Sequence, residues 1–428
     1  MLIARRHPHF GRLLAALAAS QFGDWLYNLA LLAYVQERTH SATWVGVTTA
    51  ARIAPMIVGA PLGGLIADRL DRRRLMIGAD VIRAAIMGAL LLVALAALPV
   101  VLVPLLAAAA TAAGVAYAPT VAALTPRLVE PELLAAANAA RGSITPACVA
   151  GGPALGALLL LIGSPLLVFA INALSFVVSG LIVCSIPAGG AFARVGRHSG
   201  DDARTSAATA LRRIIAELGA GAQALRRAPE AVWFVSADTA ASFVYGAETV
   251  LLLAVAGRLG LGVPGYGYLL AAQGLGGILG AQLAGRLGAA TERRPALAIA
   301  LLSIALPLPV LAFTTSVIIV ILVSVIAGVG TLLVEVVADI RLQRTLDEAR
   351  IGCAYGLTLT VSVGGIAAGG LLAPLLLALA GVGGALCAIA AAVLLLALRL
   401  ASSGSRPNLA WPGGRSAAVA AEPAAPHV

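Results

Sequence analysis

The chain has 428 residues, of which 60% are hydrophobic and only 11% charged, and it carries a formal net charge of +10. Soluble globular domains carry about 25% charged residues, so an ordinary soluble fold is excluded. Each bilayer crossing by a helix needs roughly 20 mostly apolar residues, and this chain has many such stretches.

In chain order, apolar runs broken by charge or Pro/Gly punctuation lie near 13–37, 43–67, 75–98, 100–124, 138–163 and 165–186, then near 230–256, 265–288, 295–314, 316–340, 352–380 and 382–399. They predict an all-α polytopic membrane protein of twelve transmembrane helices, in two pseudo-symmetric six-helix bundles (1–186 and 230–400) around a central cavity. The first apolar segment is too long for a cleavable signal peptide and contains Asp24. Residues 187–229 form a central loop. Its polar "ARVGRHSGDDART" is followed by "LRRIIAELGAGAQALRR", whose apolar spacing among arginines predicts an amphipathic helix on the membrane surface. The Pro/Gly/Ala/Ser-rich tail, 401–428, is expected to be disordered.

Every basic residue other than histidine is arginine. With the N-terminus cytoplasmic, 24 of the 29 arginines fall in cytoplasmic segments or at their edges; Arg38 and Arg258 fall on the other side, and Arg52, Arg83 and Arg141 within spans. The positive-inside rule then places both termini and the central loop in the cytoplasm. The basic surface suits anionic lipid, not nucleic acid. Lysine-free, Ala/Arg-rich usage suggests a bacterial inner membrane protein.

An ionisable group inside a span costs a few kcal/mol, roughly 3 on insertion scales, and is a functional candidate. Ser20, Asp24 and Asn28 follow one another at steps of four, with Tyr27 beside them, as one polar stripe on the first span. Asp24 lies about 16 Å from the cytoplasmic end at 1.5 Å per residue. Arg52 in the second span comes out at similar depth, so an Asp24–Arg52 ion pair is geometrically possible. Asp24 is then either a proton- or substrate-coupled carboxylate or half of a static pair. In the seventh span Asp238, Ala241, Tyr245 and Glu248 fall within about 80° of one another at 100° per residue, facing the same cavity.

None of the five histidines lies in a span, so a membrane proton relay must use carboxylates. Asp80 and Arg83, one turn apart, are expected to pair with each other. Glu335 and Asp339, followed by Arg341 and Arg344, form either a second charged cluster or a membrane edge. Gln273 and Asn172 are candidate cavity donors, and the four cysteines read as small apolar fillers. A Gly-x-x-x-x-Gly-Lys phosphate loop, a metal cluster and a nucleophile elbow are all missing from the sequence, so no cofactor, ATP-driven step or enzymatic activity is expected.

The stretch "GGLIADRLDRRRLM", 63–76, resembles the loop between helices 2 and 3 of the major facilitator superfamily, in its branch similar to enterobactin exporters and macrolide or multidrug efflux pumps. Asp71 stands where that pattern usually has glycine. The resemblance implies a conformational gate at Gly64, Asp68, Arg69, Arg72 and Arg73; the arginines alone would also suit a plain membrane anchor. "TPACVAGGPALGALLL" resembles the helix 5 motif of drug/proton antiporters through Gly152, Pro153 and Gly156, with Cys148 and Ala157 where glycines are usual. The resemblance implies a monomeric, proton-coupled exporter of small, partly apolar molecules such as drugs or siderophores, working by alternating access. Uptake by proton symport, lysophospholipid translocation and a non-transporting sensor are the alternatives.

Overall fold

A computed structural model of the protein describes residues 6–69, 71–162, 164–187, 216, 219–287, 294–345 and 348–402. Within helix 42–69 the side chains of 58 and 60–69 are not described, so the expected gate residues Gly64, Asp68 and Arg69 lie outside the described side chains. Most of the central loop and the tail beyond 402 lie outside the described residues as well; of the loop's expected surface helix, 219–227 is helical.

The described chain is helical throughout its length. In order the helices are α1 (Pro8–Thr39), α2 (Ala42–Arg69), α3 (Arg72–Leu95), α4 (Leu102–Gly114), α5 (Tyr117–Leu128), α6 (Leu134–Gly142), α7 (Ile144–Ile162), α8 (Pro165–Cys184), α9 (Pro229–Arg258), α10 (Gly262–Leu287), α11 (Arg294–Ala305), α12 (Pro307–Phe313), α13 (Val317–Thr345) and α14 (Glu348–Ser402). Eight stretches of the described residues are long and apolar enough to cross a membrane. Their outward faces carry exposed Leu92, Leu105, Leu158, Leu181, Phe313, Ile318 and Leu379, which only an apolar solvent accommodates in such number.

The breaks follow local chemistry. Pro307, which has no backbone N–H, stands where α11 gives way to α12. Gly381, at φ 68° and ψ −179°, interrupts α14 between the expected eleventh and twelfth apolar runs; only glycine tolerates that conformation without strain. α3 starts three residues earlier than its apolar run because Asp71 is its N-cap, accepting from the Arg74 amide at 2.8 Å. Arg72 to Arg74 are therefore the first turn of a helix and not a loop, and Asp71 has a structural reason to replace glycine.

Arginines close several helix ends. Arg73 donates to the Cys184 carbonyl at 2.6 Å and Arg12 to the Ser185 carbonyl at 2.8 Å, both at the end of α8. At the opposite end of the molecule Arg38 donates to the Ala97 carbonyl after α3, at 2.9 Å. Arg258 donates to the carbonyls of Leu311 (2.6 Å), Ala312 and Thr314 (3.2 Å), where α12 finishes. Guanidinium on terminal carbonyls satisfies orphan acceptors and opposes the helix dipole. Arg38 and Arg258, the two arginines expected on the far side from the termini, are thus both cap ligands.

Candidate functional site

Two polar assemblies lie inside the bundle. The first is confined to the first half of the chain. Arg83 of α3 is buried, with its guanidinium carbon 4.0 Å from the centre of the Phe176 ring. Its Nη1 donates to Ser20 Oγ at 2.9 Å, and its Nη2 forms an ion pair with Asp24 Oδ2. The same Nη1 lies 3.8 Å from Asp80 Oδ1, one helical turn back. The other Asp80 oxygen accepts from Ser179 of α8 at 2.7 Å and from Tyr117 of α5 at 3.5 Å, and those two hydroxyls lie 2.8 Å apart. Gly114 makes room for the guanidinium, since a Cβ there would sit 3.3 Å from its carbon.

The Asp24–Arg52 pair that the sequence left possible is not the one formed: Asp24 is held by Arg83. Depth along a helix gives height but not direction, and α3 presents its arginine to the face of α1 on which Asp24 lies. The expected Asp80–Arg83 pairing is present as a longer contact within the same cluster. Asp24 side chain is 41% exposed, whereas those of Arg83 and Asp80 are 7% and 1% exposed. One carboxylate is therefore open to solvent and the other sealed.

The second assembly draws on both halves. Arg52 of α2 makes no ion pair among the described residues, and its Nε is buried without a partner. It stands within electrostatic reach of Tyr27 from α1, Tyr245 from α9 and Tyr266 from α10. The hydroxyls of Tyr27, Tyr266 and Thr48, Asn28 Oδ1 and Glu248 Oε1 are likewise buried and unpartnered. The second oxygen of Glu248 accepts from Gln273 of α10 at 2.7 Å. Leaving such groups unsatisfied costs about 1–3 kcal/mol each, so their concentration is a mark of a place built for something other than packing.

Of the remaining expected site residues, Asp238 accepts from Ser362 of α14, nearly three turns before Glu248 on α9. Asn172 does not line this place: fully buried on α8, it donates to Met87 Sδ at 3.3 Å and accepts from Ser175 at 3.0 Å. Glu335 is exposed on α13, and Arg341 sits over the Phe234 ring at 5.9 Å.

The halves of the chain meet beside the second assembly, toward the end that carries Arg38 and Arg258. Thr49 and Thr249 hydroxyls lie 3.4 Å apart. A Cβ at Gly46 would run into the Gly370 carbonyl and, at 2.9 Å, Pro374. Gly152 of α7 rests on Trp25 and the Leu26 amide, Gly156 on Leu29, and Gly267 of α10 on Ala157 and Leu29. Gly152 and Gly156 therefore seat α7 on α1, while Ala157, where the antiporter pattern has glycine, meets a glycine supplied by α10. Pro153 lies inside α7, and the Val149 carbonyl, left without its usual amide partner, faces Gly274 at 2.8 Å from a Cβ position. Beyond this seam, a cavity of about 290 Å³ lined by Gln36, His40, Val45, Val250 and Leu377 opens at the same end.

A family model described as transmembrane secretion effector matches residues 3–409. The chain belongs to this family of major facilitator transporters. Among curated relatives, the transporter is 28% identical over 173 residues to macrolide efflux protein A of Streptococcus pyogenes, a match covering 40% of this chain and 43% of that one. It is 36% identical over 73 residues to the uncharacterized MFS-type transporter YfiS of Bacillus subtilis (strain 168), covering 17% and 18%. The matched segments thus span less than half of either relative. Among solved structures, a POT family transporter in complex with 5-aminolevulinic acid aligns with a TM-score of 0.72 at 13% identity, covering 92% of this chain and 95% of that one. The nucleoside transporter NupG aligns at 0.70 and 12%, covering 92% and 99%. At such identities the likeness describes the fold of this facilitator.

Proposed function

We propose that this facilitator is a proton-coupled exporter of small, partly apolar molecules, working by alternating access between two six-helix halves, 1–186 and 230–400, each with six of the twelve predicted spans. The observation that carries the reading is the set of unpartnered buried polar groups where the halves meet: Arg52, Tyr27, Tyr266 and Glu248. A solute held there touches both halves, so its binding energy can favour one arrangement of them over the other. The halves close against each other on the Arg38 side through Gly46, Thr49 and Gly267, which corresponds to a site addressed from the side of the termini. That side is the cytoplasm of a bacterial cell membrane by the arginine distribution, and export is the direction that fits. The partial likeness to a macrolide efflux protein supports a drug-like solute, and Gly64, Asp68, Arg69, Arg72 and Arg73 supply the gate between the conformers.

The test is accumulation of labelled erythromycin by a pump-deficient host expressing the protein, with and without a protonophore. Expected is lower accumulation that rises to the host level when the gradient is collapsed. Raised accumulation would instead assign uptake, and no change with either treatment would remove transport of this solute class.

A further inference from the structure

The Arg83 cluster adjoins the place where the halves meet, since Tyr27 stands within electrostatic reach of both Asp24 and Arg52, and its own charges do not match in number: two carboxylates face one guanidinium. Both terminal nitrogens of that guanidinium are occupied, one by Ser20 and one by Asp24. Asp80 Oδ1 is buried with no hydrogen-bond donor, although Oδ2 of the same group has two. No further compensating charge is at hand. The groups facing Asp80 are Arg83 on its own helix, Asp24 from α1 and Tyr117 from α5, and α8 contributes the Ser179 hydroxyl. A sealed carboxylate oxygen with no donor is the natural seat of a proton.

We propose that Asp80 carries the exchanged proton, on Oδ1, and that Arg83 is a positioning residue that passes between Asp24 and Asp80. This assignment rests on the exporter reading for its purpose. In this assignment the Arg83–Asp24 ion pair contributes one charge of each sign and Asp80 is neutral, so the cluster sums to zero. When a monocationic solute, such as one bearing a protonated amine, binds the exposed Asp24 carboxylate, it displaces the guanidinium. Arg83 moves the short remaining distance to Asp80, the Asp80 O–H bond breaks, and the proton leaves to water on the Asp24 side. One positive charge has entered and one has left, so the cluster remains neutral in both states. Neither state buries an uncompensated charge, which is what a rapid exchange inside a membrane requires.

Infrared difference spectra of the full chain in lipid nanodiscs, taken across a pH series, read the protonated carboxyl stretch directly and need no solute. The expected result is a component that disappears on raising the pH, is missing in Asp80→Asn and is moved in frequency in Asp80→Glu, which keeps an acid if the amide variant fails to fold. A component unaltered by either change overturns the assignment. In Asp24→Asn, where Arg83 has lost its competing partner, the component is expected to disappear at lower pH; an unchanged titration overturns the exchange of partners. Gradient-driven uptake of erythromycin into inverted vesicles is scored in parallel. A wild type with the Asp80 component but no such uptake would sink the exporter reading while leaving the proton on Asp80.

Discussion

The two halves of the chain solve the same problem differently. In the first, Asp24 and Asp80 are gathered around a single charged partner, Arg83, with hydroxyls filling the remaining positions. In the second, Asp238 and Glu248 are held by neutral groups, the Ser362 hydroxyl and the Gln273 amide. An ion pair in a low-dielectric interior depends on both members, because losing one strands the other. An acid held by an amide or hydroxyl loses one hydrogen bond at most. The first half should therefore be brittle and the second tolerant, although both present acids on a polar helix face.

Four substitutions test this contrast in order of expected effect, each read by thermal stability of the detergent-solubilised protein. Arg83→Gln should be the most damaging, costing about 2–4 kcal/mol, because it removes at once the ion-pair partner of Asp24, the donor to Ser20 and the cation over the Phe176 ring. Asp24→Asn should cost less, about 1–2 kcal/mol, since this side chain is 41% exposed and Arg83 retains Asp80 nearby. Combining the two should cost less than their sum by about 1–3 kcal/mol; strict additivity would mean that the pair contributes nothing. Ser362→Ala should cost about 1 kcal/mol. Glu248→Gln should be close to neutral, within about 0.5 kcal/mol, because two amides can still bond, while transport of a cationic solute falls. A loss from Glu248→Gln as large as that from Arg83→Gln would erase the difference between the halves.

Much of this was legible in the sequence. The apolar runs anticipated the helices, and even the break at Gly381 falls between two of them. Of the polar stripe through Ser20, Asp24 and Asn28, the first two share Arg83 as a partner. The partner of Asp24 was not legible, because counting residues from a membrane edge places Asp24, Arg52 and Arg83 at comparable heights without saying which way each one faces. Tyr117 and Ser179 gave no sign of their role: each is a single polar residue in an apolar run, and only tertiary packing brings both to Asp80. Asp71 is a case of the opposite kind, where a departure from the family's usual glycine has a local cause, capping of the helix that starts at Arg72, that is legible from the next three residues.

The arginine caps at the two helix ends have an electrical consequence. The turns at 37–44, 95–101, 161–166, 257–264, 313–317 and 378–384 contain Glu37, Arg38 and Arg258 as their only acidic residues or arginines, and both guanidiniums are engaged on backbone carbonyls. That end of the described structure is nearly bare of charge, while the opposite end carries Arg12 and the Arg72 to Arg74 run. Under the proposed export, a cation leaving by the bare end would meet little to draw it back, and one approaching the other end would cross a repulsive fringe that salt screens over about 8 Å. The two ends of the molecule thus behave as unlike electrodes, and their asymmetry should fade as ionic strength rises.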